Sequence, residues 1–483
     1  MENTKRKYQP VTAVWEVTMG CNMNCIHCGS SCNKPYADEL TTSEALSLIK
    51  EMAQLGVKWV TLSGGEPLTR EDLPQLIKCL RENSLGANVI TNGWLLAEKA
   101  HLLKEAGVCV VAVSIDGTKE IHDTIRRQGS FERDMEGIRL LRQLGIEVGA
   151  ITTITKKNLA NLKELREKLI EAGVDSWQVQ IGLPMGNLLK HKENVMTPEH
   201  VDEIIDFCYE TALDGRIRMY PADCIGYYTV KEQEVKRRSY KAENALWEGC
   251  NAGVRGFGVL QNGDIIGCTS VRDKEFIEGN IRERSLNDIW NDENAFRWRR
   301  ELKKEMLSGE CQKCIYGSKC LGGCANTRLT MEGSIYGENK YCSYNVYLKK
   351  KMEEVRRIKD VRYIQEKAQE ALRNDEVQVV ALLAKHGVAL DKNNLELYKL
   401  KGYADFMCGN YADAERSNSE ALKLCGEDAY ALKGLALSMY KQDKYPLEDV
   451  IRLMERANSL NGGTDNDILH DLNLLRQKNL VSR

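Results

Sequence analysis

The sequence predicts an α/β protein built on a partial, TIM-like (β/α)6 barrel, followed by a small cysteine-rich domain and an all-α tail of helical repeats. Three observations carry this reading: short apolar runs alternate with amphipathic segments up to about residue 213, cysteines crowd into 250–342, and the remainder reads as helix. The corresponding boundaries are 1–213, a bridging segment 214–249, then 250–347 and 348–483. A chain of 483 residues exceeds what one core usually organises, so several domains are expected.

Taken in order, the candidate strands are 13–18, 57–63, 87–91, 109–115, 147–154 and 176–182, followed by helix-like stretches such as 43–55 and 159–171. That alternation argues for a parallel sheet with outer helices. A closed eight-unit barrel would need two more units, which leaves six, with the functional residues at the C-terminal strand ends. From 197 to 249 the pattern loosens into helix and loop. The run 348–374, dense in Lys, Arg and Glu and free of Pro and Gly, reads as one long solvent-facing helix. Beyond it Gly402, Gly409, Tyr411, Ala414 and Ala421 stand in the register of a tetratricopeptide repeat, and Gly434, Tyr445, Ala457 and Leu460 form a looser copy. A plain helical appendage that stabilises its neighbour is the alternative.

Lys+Arg 68 against Asp+Glu 70 leaves a formal charge of -2, which gives no electrostatic reason to expect nucleic acid or an anionic membrane as partner. The first residues lack the apolar core of a signal peptide, and no stretch of about 18 apolar residues follows, so a cytoplasmic protein is expected. Seventeen cysteines in such a chain point to metal ligation rather than disulfides. They fall into two groups, 21–32 and 250–342, which implies two metal-binding regions.

Directly after the first strand come Cys21, Cys25 and Cys28, on a loop at a strand's C-terminal end. A structural zinc site closes with four ligands, whereas a four-iron cluster held by three cysteines keeps one iron open for an exogenous chelator. With Gly64-Gly65-Glu66-Pro67 after the second strand, this spacing resembles the radical S-adenosylmethionine (SAM) superfamily. The resemblance implies that the open iron is chelated by SAM and that reductive cleavage gives a 5′-deoxyadenosyl radical. It implies SAM contacts from Gly64, Gly65 and Glu66, with Glu66 as anchor for the ammonium, from Asn92, Ser114 and Asp116 at strand ends, and from Arg126 at the carboxylate, with Arg127 beside it as the other choice. Ile154 matches an apolar position that packs on adenine. Ser114 and Asp116 also fit a turn-forming role, and Arg126 a solvated one. His27 reads as a packing or adenine-side residue rather than a ligand, and Cys32 as a spare thiol.

Further on, Cys250, Cys268, Cys311, Cys314, Cys320, Cys324 and Cys342, with Gly279-Asn280-Ile281 and 286–290 between them, resemble the SPASM extension of radical SAM enzymes. By that resemblance Cys311, Cys314, Cys320 and Cys342 hold one auxiliary cluster and Cys250, Cys268 and Cys324 another, for three 4Fe-4S clusters in all. No fourth cysteine stands just before Cys250, so the first auxiliary cluster is expected to keep an open iron or a non-cysteine ligand, with Cys224, the nearest cysteine upstream, as the alternative fourth thiolate if a loop brings it back.

SPASM enzymes mostly modify ribosomally made peptides or proteins. The resemblance therefore implies a precursor peptide or protein substrate, a thioether or carbon-carbon crosslink as product, and an electron donor such as flavodoxin or ferredoxin. Sulfatase-type oxidation of Cys or Ser is the runner-up, because Thr269 stands where that branch carries a carboxylate. Radical modification of a small molecule such as a haem precursor stays open, as does, from another class, an electron-transfer or scaffold protein. Gln178 and Gln180 point the same way on the sixth strand, either toward the pocket or as ordinary strand polarity.

Overall fold

A computed structural model describes residues 8–242 and 247–481. Ten strands form one sheet: β1 (Thr12–Thr18), β2 (Trp59–Gly64), β3 (Gly86–Thr91), β4 (Val110–Ser114), β5 (Glu147–Ile154), β6 (Ser176–Ile181), β7 (Arg218–Pro221), β8 (Gly256–Val259), β9 (Asp264–Ile266) and β10 (Ile277–Asn280). Their order is β10-β9-β8-β1-β2-β3-β4-β5-β6-β7. All neighbours from β8 through β1 to β7 pair in parallel, and β9 and β10 continue antiparallel.

Six strands were legible and two further parallel strands were not. β7 has four residues and ends in a proline, while β8 reads Gly-Phe-Gly-Val, too short and too rich in glycine for a periodic signal. Because β8 pairs with β1 in register Thr12 to Gly256, the cysteine-rich segment extends the barrel sheet instead of standing apart from it.

One face of each barrel strand is packed under helices and the other is open. On β1 Ala13, Trp15 and Val17 are buried in the main core, and on β6 Trp177, Val179 and Ile181 are; Val14, Thr61, Ile90, Ala112, Thr153, Gln178 and Gln180 alternate with such buried positions and stay partly exposed. The period of two along a strand produces this directly. Outer helices are cleanly delimited: Thr42–Leu55 starts in a capping box between Thr41 and Glu44 and stops at Gly56, whose φ of 99° suits glycine.

The chain divides into two compact units, one comprising the sheet, its helices and Ser318–Val346, the other Gln312–Gly317 with residues 347 onward. In the second unit the expected single helix over 348–374 is two, Ser343–Arg357 and Val361–Arg373. Asp360 makes the break by capping the second helix, its carboxylate accepting from Arg362 N and Tyr363 N at 2.9 and 3.3 Å. Further helices alternate to Val481, and Gly402 and Gly434 both pack on Asn418, where an added Cβ would lie 2.7 and 2.6 Å from that side chain. Among the described residues no helix is long and apolar enough to cross a membrane.

Candidate active site

The loop bearing Cys21, Cys25 and Cys28 leaves β1 through an isolated bridge between Gly20 and Asn33. Cys25 lies within electrostatic reach of both Cys21 and Cys28. Burial pushes the Cys25 thiol up to about 12 against the opposing charge of Arg126, and raises Cys21 as well. Cys28 moves down to about 5, chiefly because the Cys32 thiol donates to it, and the same bond raises Cys32. Cys32 thus supports a proposed ligand.

Gly64 and Gly65 are required by close approach. A Cβ on Gly64, where φ is +132°, would lie 2.3 Å from Thr18 O, and one on Gly65 would lie 2.2 Å from Gly20 O. Gly65 N and Glu66 N donate to those same two carbonyls, so the segment is laid against the root of the cysteine loop. Glu66 is built into the segment itself. It is fully buried, and its carboxylate already accepts from Leu68 N, Thr91 Oγ1 and Asn92 N at 3.0, 2.7 and 2.7 Å. Burial pushes it up to about 7 against those bonds. Its carboxylate ties this segment to the end of β3.

Asn92 reaches the cysteines, with Nδ2 2.7 Å from Asn22 Oδ1 and 3.8 Å from Cys21 Sγ. Asp116, just past β4, is fully buried and gathers His27 Nε2 at 2.7 Å, Arg126 Nε at 2.5 Å and Thr153 N at 2.8 Å. Burial acts to raise its carboxyl, but Arg126 and His27 hold it well below the usual range. Arg126 Nη1 then lies 3.9 Å from Cys25 Sγ. Arg127 instead lies over the Trp94 ring and donates to Asn22 O at 3.1 Å. Of the remaining candidates, Ser114 is partly exposed on the open face, whereas Ile154 is fully buried in the core under the helices.

Among the described residues no three His, Cys, Asp or Glu side chains converge as a single ion requires. A cluster asks for less convergence, because each thiolate takes its own iron. The donor set fits: three neighbouring thiols, with Asn92 and Arg126 nitrogens aimed at sulfur, an arrangement that tunes such clusters. Metal coordination deprotonates a thiol outright, and the Arg126 charge acts in the same direction.

In the cysteine-rich segment Cys250, Cys268 and Cys324 lie within electrostatic reach of one another, and Cys224 lies within such reach of Cys324. Burial pushes Cys224 and Cys250 up to about 12 and Cys268 to about 11. What returns Cys224 to this place is the unforeseen β7, and Ile181 N donates to its sulfur at 3.4 Å. Tyr227 braces the group, its hydroxyl accepting from Cys324 N at 2.9 Å and donating to Asp223 O. Cys311, Cys320 and Cys342 are buried in the same unit, while Cys314 belongs to the helical unit, where it meets Gln378 Oε1 at 3.9 Å.

Two residues that sequence reasoning passed over are Glu16 and Arg272. Glu16 is buried on β1, and Arg272 follows Cys268; the pair is ion-bonded. A charged residue between Trp15 and Val17 was the available signal.

A model of the radical SAM superfamily matches residues 15–176, and one described as an iron-sulfur cluster-binding domain matches 250–315. An AdoMet-dependent heme synthase of Methanosarcina barkeri is 32% identical over 345 residues, covering 69% of this chain and 97% of that protein. The chain belongs to the radical SAM superfamily. A mycofactocin maturase of Mycobacterium tuberculosis is 26% identical over 65% of this chain and 78% of its own length. Among solved structures, Streptococcus suis SuiB bound to S-adenosylmethionine superposes with a TM-score of 0.55 at 16% identity, over 70% of this chain and 77% of that one, which shows a common fold. This radical SAM enzyme therefore binds SAM and carries iron-sulfur clusters in a SPASM-type region.

Proposed function

We propose that the enzyme uses a 5′-deoxyadenosyl radical to abstract hydrogen from a ribosomally made peptide or protein, whose reacting residue enters at the open face of the sheet, and so forms a thioether or carbon-carbon crosslink. The observation that carries this is in the helical unit: a groove of about 770 Å³ lined by Tyr403, Phe406, Met407, Tyr430, Leu437 and Tyr440, with Lys399, Lys433 and Lys441 among its other residues. Such a surface suits an extended peptide, with aromatic rings for side chains and charges at the margin. Its helix pairs follow the tetratricopeptide register of Gly402, Tyr411, Gly434 and Tyr445.

Cys21, Cys25 and Cys28 would hold the SAM-binding cluster, with Gly64, Gly65, Asn92, Ser114, Asp116 and Arg126 around the cofactor. The SPASM cysteines would hold two further clusters, making three, with a flavodoxin or ferredoxin as electron donor. When bound, the clusters supply the electron that cleaves SAM and accept electrons from the product radical. The chain's own contribution is to bury the cysteines, to aim Asn92 and Arg126 at sulfur and to hold the loop to β4 through His27 and Asp116.

A second reading, radical modification of a tetrapyrrole, is favoured by one observation, the 32% identity to a heme synthase over nearly all of that protein. Reconstituted enzyme with SAM and reductant should be offered short peptides encoded beside the gene and, separately, iron coproporphyrin III. The peptide reading expects a mass change in a peptide matched by 5′-deoxyadenosine, reduced roughly tenfold by Tyr403→Ala with Tyr430→Ala. Turnover of the porphyrin alone would replace it with the second reading.

A further inference from the structure

Arg272 stands where three segments meet. Its Nε donates to Thr269 O at 2.7 Å, in the loop after Cys268, and its Nη2 donates both to Ser30 Oγ at 2.7 Å, in the loop after Cys28, and to Glu16 Oε1 on β1. The guanidinium is thus fixed between the SAM-side cysteines and those of the first auxiliary site. Two features set it apart from a structural tie. Its third nitrogen, Nη1, makes no hydrogen bond among the described residues, although the side chain is a quarter exposed. The second oxygen of its partner, Glu16 Oε2, is buried with no hydrogen-bond partner among the described residues. A carboxylate that uses one oxygen and an arginine that uses two of three nitrogens form an incomplete pair, and leaving a buried carboxylate oxygen unpaired is costly. Glu16 also lies on the same side of β1 as Val14, the side that remains open.

We propose that Arg272 is a substrate-carboxylate site: its free edge takes a carboxylate of the substrate, with Glu16 as the counter-charge that holds the guanidinium in place until that group arrives. Arginine suits the task because its guanidinium keeps its charge, and Nη1 can give a carboxylate oxygen a charge-assisted bond while Nε and Nη2 hold the side chain in place. The position would place the substrate between the SAM-binding and first auxiliary clusters. The inference rests on the reading that the open face receives the substrate, and it names the chemistry of what enters. A carboxylate can be the side chain or C-terminus of a peptide or the propionate of a tetrapyrrole.

The test uses the reconstituted holoenzyme with SAM under anaerobic conditions and reads the rate at which phenylglyoxal labels Arg272, located by mass spectrometry. The probes are coproporphyrin III against its tetramethyl ester, and a hexaglutamate peptide against hexaglutamine. Arg272 should be labelled without probe and slowed at least fivefold by one acid probe, but not by its ester or amide. Protection by the porphyrin alone keeps the site and counts against the peptide reading. Turnover of a peptide with unprotected labelling removes the site and keeps that reading. Failure of Arg272 to label, labelling slowed by neither acid, or equal protection by the neutral probes overturns the proposal. Glu16→Gln should speed labelling severalfold and tighten binding of the protecting acid, since the competing charge is gone; slower labelling in that variant would also count against it.

Discussion

The two cysteine regions are assembled in different ways. Cys21, Cys25 and Cys28 lie within eight residues on one loop, held at its root by Gly64 and Gly65 and met by Asn92 and Arg126 from other strand ends. The second group is drawn from positions between 224 and 342 and depends on a short strand and a tyrosine brace. Local spacing specifies the first site almost completely, whereas the second is specified by the fold. The first should therefore fail when its own residues are changed, and the second when distant packing is.

The strongest test of that contrast is Cys21→Ala, Cys25→Ala and Cys28→Ala made together. SAM cleavage should fall to background, while iron stays on the cysteines of the second region, because the two sets share no ligand. Iron content and 5′-deoxyadenosine measured on one preparation decide it. Loss of all iron would mean that the regions are not independent.

Cys224 sharpens the comparison further. The sequence leaves the fourth iron of the first auxiliary cluster open, held by a non-cysteine ligand or by Cys224, and Cys224 lies within electrostatic reach of Cys324. Cys224→Ala should leave SAM cleavage intact and convert this cluster on mild oxidation to a three-iron form visible by electron paramagnetic resonance. A spectrum identical to that of the unaltered enzyme would return the site to the open-iron reading.

A smaller effect is expected at Glu66, which serves the first region from behind. Glu66→Gln replaces one acceptor oxygen by an amide among three donors, and the Asn92 and Leu68 backbone N–H groups cannot reverse their polarity. A loss of about 1–3 kcal/mol in the unfolding free energy of the cluster-free protein is expected from an unpaired buried donor. An unchanged denaturant midpoint would show that the segment is held by Gly64 and Gly65 alone.

What could be read in the sequence follows the same division. The six long strands and the cysteine loop carry their signals within a few residues. β7 and β8 do not, since each is held in place by its neighbour rather than by its own pattern. The burial of Glu66 and Ile154 was not legible, because which face a strand-end residue takes depends on the layer packed beneath it. The break at residue 360 turned on a single capping aspartate inside a run that otherwise favours helix. Arg272 and Glu16 are 256 residues apart, and no spacing rule connects them.

The smallest effect should come from a second arginine that also ties the cysteine-rich segment to the barrel. Arg282, just after β10, donates through Nε to Glu44 Oε1 at 2.7 Å and through Nη1 to Asp38 O at 3.0 Å, while Glu44 caps the helix Thr42–Leu55. Like the Arg272 pair it joins residues far apart in sequence, but both partners are about a third exposed, and water competes for each bond. Arg282 holds the Glu44 carboxyl down to about 2, so this pair contributes above the ordinary carboxylate range, and its contribution is lost as pH falls toward 2. Screening limits its worth: Arg282→Ala should cost no more than about 1 kcal/mol at neutral pH, less in high salt and nothing at pH near 2. Denaturant titrations of that variant at two ionic strengths and two pH values measure all three. A loss well above 1 kcal/mol that persists in salt would mean that the surface tie, rather than the buried contacts of β8 on β1, keeps the cysteine-rich segment on the sheet.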